Sequence, residues 1–188
     1  MQFSSLNRST WKRLAIALLL TVVVALQACA APASGLKAYI DATKGYRFLY
    51  PIGWVAVKVA GGPDVVFHDL IQETENVSVV INPVPSGKAL PDLGTPSEVG
   101  YRLSKSAIAP PGSGRTAELV NAEAREANGK TYYLLEYAVK LPNQDRHNLA
   151  SVAVSRGQLY TLNISASEGR WDKVKDMFET VVRSFSVD

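Results

Sequence analysis

The chain has 188 residues, of which 47% are hydrophobic and 20% charged. The charged fraction falls below the roughly 25% of an average soluble domain, and with this apolar content it excludes intrinsic disorder, collagen, a coiled coil and a polytopic membrane protein. The formal net charge of +3 belongs to the N-terminus: Arg8, Lys12 and Arg13 lie in the first 28 residues, which hold no Asp or Glu, and from residue 29 onward 17 basic residues balance 17 acidic ones. A neutral chain is a poor ligand for nucleic acid, whose affinity for proteins rests on neutralised phosphates.

Residues 1–28 read as an export signal: a basic start, then an apolar run from Leu14 to Leu26. At about 1.5 Å per residue this run covers about 20 Å, short of the roughly 30 Å of a bilayer core. It ends in Leu26-Gln27-Ala28-Cys29, which resembles a bacterial lipobox, with Gln27 the less usual position. That resemblance implies a diacylglycerol on the Cys29 thiol, cleavage before it, and acylation of the new amine. At about 0.8 kcal/mol per buried CH₂, two or three chains anchor stably where one does not. Cys29 is the single cysteine, so no disulfide forms within the chain. Residues 29–35 then make a lipidated tether of small, flexible residues.

Residues 36–188 read as one domain dominated by strands. Tyr46, Phe48 and Tyr50 alternate with Arg47 and Leu49 before Pro51 stops the run. Trp54–Val57, Val65–His68 and Val77–Asn82 are further strand segments. The four aromatics from Tyr46 to Trp54 have strand spacing, which points to core packing rather than a ligand pocket. Asn128-Gly129 predicts a type I′ hairpin turn between residues 119–127 and 130–140, and Arg156-Gly157 predicts a second hairpin. Tyr133, Leu135, Tyr137 and Val139 share one strand face. The opposite face carries Tyr132, Leu134, Glu136 and Ala138, too apolar to be fully wet, so the sheet is expected to be covered on both sides.

Two helices are predicted. Thr95-Pro96-Ser97-Glu98 is a capping box with proline at the first helical position, followed by a stripe of Val99, Leu103 and Ala107. The second helix spans about residues 168–184, with Trp171, Val174, Phe178, Val181 and Val182 on its apolar face. Antiparallel strands with segregated helices make an α+β domain. Residues 83–95 and 109–115 are loops rich in Pro and Gly that bracket the first helix, and long loops of this kind are often functional.

Catalytic signatures are lacking: there are two histidines, no cysteine in the body, no G-x-S-x-G elbow and no phosphate loop. Metal binding has candidates. Asp145 and His147 are two apart and point the same way on a strand. His68 and Asp69 are adjacent, so each needs partners from elsewhere. Imidazole with carboxylate suits zinc, and zinc is the one cofactor these residues suggest; none is required. No calcium loop is present.

Tyr39-Ile40-Asp41, followed by Gly45-Tyr46-Arg47-Phe48-Leu49-Tyr50-Pro51-Ile52-Gly53-Trp54, closely resembles the opening of the PsbP family, extrinsic proteins on the lumenal side of photosystem II. The resemblance continues through Val65–Asp69, Asn76–Val80, Asn128–Tyr133 and the closing helix with Trp171 and Phe178. With the lipobox, the chain is similar to the cyanobacterial lipoprotein member. The resemblance implies a central antiparallel sheet flanked by helices, an α/β/α sandwich. It also implies an auxiliary role in assembly or stability on the lumenal face of photosystem II, held to the thylakoid membrane by lipid. Plant PsbP proteins carry a longer basic N-terminal segment that helps retain calcium and chloride, and here the tether takes its place. A non-enzymatic, monomeric docking protein is the expectation. The alternative is an envelope lipoprotein that binds a metal or a small ligand.

Overall fold

A computed structural model describes residues 35–188. Cys29, the signal segment and residues 30–34 of the tether lie outside the described residues. Gly35 joins the folded unit: its carbonyl accepts a hydrogen bond from the Ile52 amide at 2.9 Å.

Two glycine-containing turns set the frame. Asn128 and Gly129 both have positive φ (53° and 71°), as do Arg156 and Gly157 (49° and 70°), which is what a type I′ turn demands. The first turn joins β6 (Thr116–Ala127) to β7 (Lys130–Lys140), and the second joins β8 (Asp145–Ser155) to β9 (Gln158–Ser167). Before them come β1 (Leu36–Asp41), β2 (Tyr46–Pro51), β3 (Val55–Val57), β4 (Val65–His68) and β5 (Asn76–Pro83). A seven-stranded sheet runs β3-β4-β5-β9-β8-β7-β6, antiparallel at every pairing. The chain leaves β5, crosses to the far edge at β6 and returns strand by strand until β9 lies beside β5.

That crossover carries helix α1 (Pro96–Leu103) over one face of the sheet. Its start is the expected capping box: the Glu98 amide donates to Thr95 Oγ1, and the Thr95 amide donates to Glu98 Oε2 at 2.8 Å. Tyr133, Leu135, Tyr137, Val139, Ala150 and Val152 form the core beneath it. Gly100 allows the close approach, since a Cβ there would meet both Leu119 methyls at 2.9 Å. The predicted stripe fails at Ala107. The α-helix gives way to a π-helical turn over Ser104–Ile108, whose wider winding turns Ile108 toward this core and leaves Ala107 exposed.

Helix α2 (Trp171–Ser184), preceded by a 3₁₀ turn over Glu168–Arg170, covers the opposite face. Val77, Val79, Leu149, Tyr160, Leu162 and Ile164 are buried against Trp171, Val174, Phe178, Val181 and Val182. Each such side chain contributes about 1.5–3 kcal/mol by leaving water. Tyr46, Phe48 and Tyr50 join this core as expected. Their strand β2 does not enter the main sheet, however. It forms a separate three-stranded sheet, β1-β2-β10, with β10 (Ser186–Val187) arriving straight from α2. The architecture is α+β: a central antiparallel sheet with helices on both faces.

Candidate functional site

The histidines and carboxylates singled out by spacing separate in the fold. His68 ends β4 and faces Val55 and Asn76 across its neighbours. Asp69 follows the strand and is a structural cap: its Oδ1 accepts from the amides of Ile71 (2.6 Å) and Gln72 (2.7 Å), and its Oδ2 accepts from Trp54 Nε1 (2.9 Å). These bonds, the Gln72 amide foremost, hold its carboxyl below the usual aspartate range against the opposing effect of burial.

Asp145 shares a face of β8 with His147, but it is exposed and stands opposite Lys140. The carboxylates that reach the imidazole are Glu136 and Glu168. Glu136 Oε1 lies 2.7 Å from Nε2 and Glu168 Oε2 lies 3.0 Å from Nδ1. The ring stacks on Trp171 with centroids 3.9 Å apart and planes 10° from parallel. Both nitrogens donate at once only in the doubly protonated ring. The two carboxylates sit on opposite edges of that ring, so no metal position touches both of them and a ring nitrogen. Among the described residues no group of three or more His, Cys, Asp or Glu side chains converges as metal ligands. Zinc at His147 with Asp145, or at His68 or Asp69 with partners from elsewhere, is therefore not supported: His147 ties β7 to the turn before α2, and Asp69 caps a loop.

A different constellation lies on the α1 side. There the sheet is apolar under the helix, but the same face turns polar toward one end of β5, β9 and β8. Asn76, Asn163, Ser165, Arg146 and Asn148 line a cavity of about 300 Å³ there. Arg115, the last residue of the loop 109–115, lies at the same cavity. Arg146 is only 8% exposed. Its Nε donates to Ser165 Oγ at 3.0 Å, and its Nη2 donates to that oxygen at 2.8 Å and to the Thr74 carbonyl. Burial draws the Arg146 guanidinium below its ordinary range, opposed by Glu75 and reinforced by Arg115.

Residue spacing along single strands does not reveal this cavity, although a signal exists. On β8 the residues that share a face read Arg146, Asn148, Ala150, Val152, and on β9 they read Leu159, Thr161, Asn163, Ser165. The apolar alternation lapses at the same end of neighbouring strands, which only the pairing register aligns.

Comparison with known proteins agrees with this architecture. The PsbP family model matches residues 34–187. The chain is 57% identical over 170 residues to CyanoP of Thermosynechococcus vestitus, covering 88% of this chain and 92% of that protein. It is 51% identical over 158 residues to CyanoP of Synechocystis sp., covering 82% and 84%. The solution structure of the Synechocystis protein superposes with a TM-score of 0.72 at 48% identity, over 85% of this chain and 96% of that one. In sequence over almost the whole folded part, and in overall fold, the chain belongs to the PsbP family.

Proposed function

We propose that the chain is a lipid-anchored auxiliary protein of photosystem II, acting at the lumenal face of the thylakoid membrane in the assembly or stability of that complex. The observation that carries the reading is the 57% identity to CyanoP of T. vestitus across 88% of this chain and 92% of that protein, a likeness that extends far beyond one motif. Acylated Cys29 is the anchor, residues 1–28 are the signal that is removed, and the folded domain docks as a monomer without catalysis and without a required cofactor. The balance of 17 basic and 17 acidic residues after the leader argues against long-range steering by net charge. It favours short-range fit by the polar surface and the Pro- and Gly-rich loops.

The test is fractionation of a cyanobacterium that expresses the chain, followed by native electrophoresis of solubilised thylakoids. Co-migration with photosystem II complexes, with slower recovery of those complexes in a deletion strain, is the expected result. A chain found only in outer-membrane fractions, with normal photosystem II accumulation in its absence, would overturn the reading.

A further inference from the structure

We propose that the cavity between β5, β9, β8 and the loop after α1 is a binding site for an organic carboxylate, with Arg146 at its floor and Arg115 at its rim. The inference rests on the cavity's hydrogen-bond accounting and does not depend on the photosystem reading.

Burying a guanidinium is costly unless an anion or a full set of acceptors compensates it. Arg146 has neither. Its Nε and Nη2 are engaged by one serine hydroxyl and one carbonyl. Among the described residues it makes no ion pair, and the carboxylate that acts on it from nearby, Glu75, is held by Arg170. Arg115 adds a second positive charge close enough to act on the first.

A side-chain network holds Arg146 in place. Ser165 Oγ accepts from Arg146 and passes its own hydrogen to Asn148 Oδ1 at 2.6 Å. Asn148 Nδ2 donates to Asn163 Oδ1 at 3.3 Å. The oxygens of Ser165, Asn148 and Asn163 are thus engaged inside the network. Open to the cavity are Arg146 Nη1, the Asn163 amide NH₂ and the Arg115 guanidinium, beside the neutral amides of Asn76 and Gln144, and no carboxylate is among the lining residues. A lining with two guanidiniums and no carboxylate selects an anion, and the planar fork of arginine matches a carboxylate. Ile108, Val139 and Leu141 supply an apolar wall in the same cavity, so an acid with a short apolar tail fits better than a bare inorganic ion.

The acid has two possible sources, a free small molecule or the C-terminal carboxylate of a protein partner. Titration calorimetry on the purified full chain in detergent separates them. The probes are isovalerate, its neutral isostere isovaleramide, and a tetrapeptide ending in leucine with a free or an amidated C-terminus. Both acids are expected to bind at least about tenfold more tightly than their amides, the scale of a hydrogen-bonded charge. A peptide acid that outbinds isovalerate tenfold assigns the site to a partner's terminus, whereas equal affinities assign it to a small molecule.

Arg115→Gln alters an exposed side chain and should weaken acid binding several-fold with an unchanged melting temperature. Arg146→Gln should abolish binding. Acids that bind no better than amides, acid affinity unchanged in Arg115→Gln, or chloride competing as well as either acid would overturn the proposal.

Discussion

Asp69 spends its carboxylate on two loop amides and the Trp54 indole, and its acidity records this. The folded-state value lies below the ordinary 3.8, so the ionised form stabilises the fold. That contribution is complete above about pH 4 and is lost as pH falls through the depressed folded value. Asp69→Asn should therefore destabilise by about 1–2 kcal/mol at neutral pH, and the gap to the wild type should close in acid. Denaturant titrations at pH 7 and pH 3, followed by tryptophan fluorescence, read this directly. A gap that is constant with pH would deny Asp69 the capping role. A buried tyrosine tells a similar story: Tyr46 donates to Asp64 Oδ2 at 2.6 Å, and burial, with help from that bond, drives its hydroxyl well above the ordinary range. It stays a neutral donor throughout. In sequence, Asp69 is a candidate ligand only by residue type, with every partner to come from elsewhere in the fold. Nothing local announces that a strand end needs its amides capped.

Hairpins and caps are the elements a reader of the sequence recovers, because their geometry is fixed by two to four neighbouring residues. Asn128-Gly129 and Thr95 through Glu98 are of that kind. The π-helical turn at Ser104–Ile108 was not legible, since the same residues also fit an α-helical stripe and only the sheet beneath decides between them. The β1-β2-β10 sheet was hidden for another reason: β10 has two residues and pairs with a strand some 140 positions away. The cavity was hidden likewise, because it needs the β5-β9-β8 register to bring its polar ends together. Two predictions belong at this scale. Arg156 adopts φ 49°, a conformation costly for arginine and natural for asparagine, and its contact with Asp188 is a long, exposed ion pair of little worth. Arg156→Asn should raise stability by about 0.5 kcal/mol and the melting temperature by about 1–2 °C, measured by calorimetry. On the opposite side of the balance, two tyrosines of β7 fasten α1. Tyr133 Oη donates to the Gly94 carbonyl at 2.8 Å and Tyr137 Oη to the Gly100 carbonyl at 3.0 Å. Removing both hydroxyls as Tyr133→Phe with Tyr137→Phe should cost about 1–3 kcal/mol. Hydrogen exchange should quicken in residues 96–103 and stay slow in β8 and β9. Equal acceleration everywhere would mean the bonds hold the whole fold rather than the helix.

The proposed lipid anchor at Cys29 would couple a charge-balanced domain to a membrane through very few residues. Gly35 is already hydrogen-bonded to Ile52, so residues 30–34 are what remains between Cys29 and the fold. At about 3.3–3.6 Å per residue they reach less than about 20 Å, so the proposed anchor would confine the domain to the bilayer surface. Such confinement would raise the effective concentration near membrane-embedded partners, so that a modest interface would suffice for the proposed docking. Without the lipid, the same interface has neither tether nor net charge to assist it. Full-length wild type and Cys29→Ser, expressed in cyanobacterial cells, separate these contributions. Mass spectrometry of the wild type should show the leader removed and acyl groups on Cys29, and the protein should survive a high-salt wash of the membranes. Cys29→Ser should lack the acyl mass. Once freed from the leader by an engineered protease site placed before residue 29, it should bind isolated photosystem II intermediates only at micromolar concentrations or above, with affinity regained in the acylated form. Tight binding by both forms would make the folded surface alone sufficient. Wild type recovered without acyl mass would remove Cys29 as the anchor.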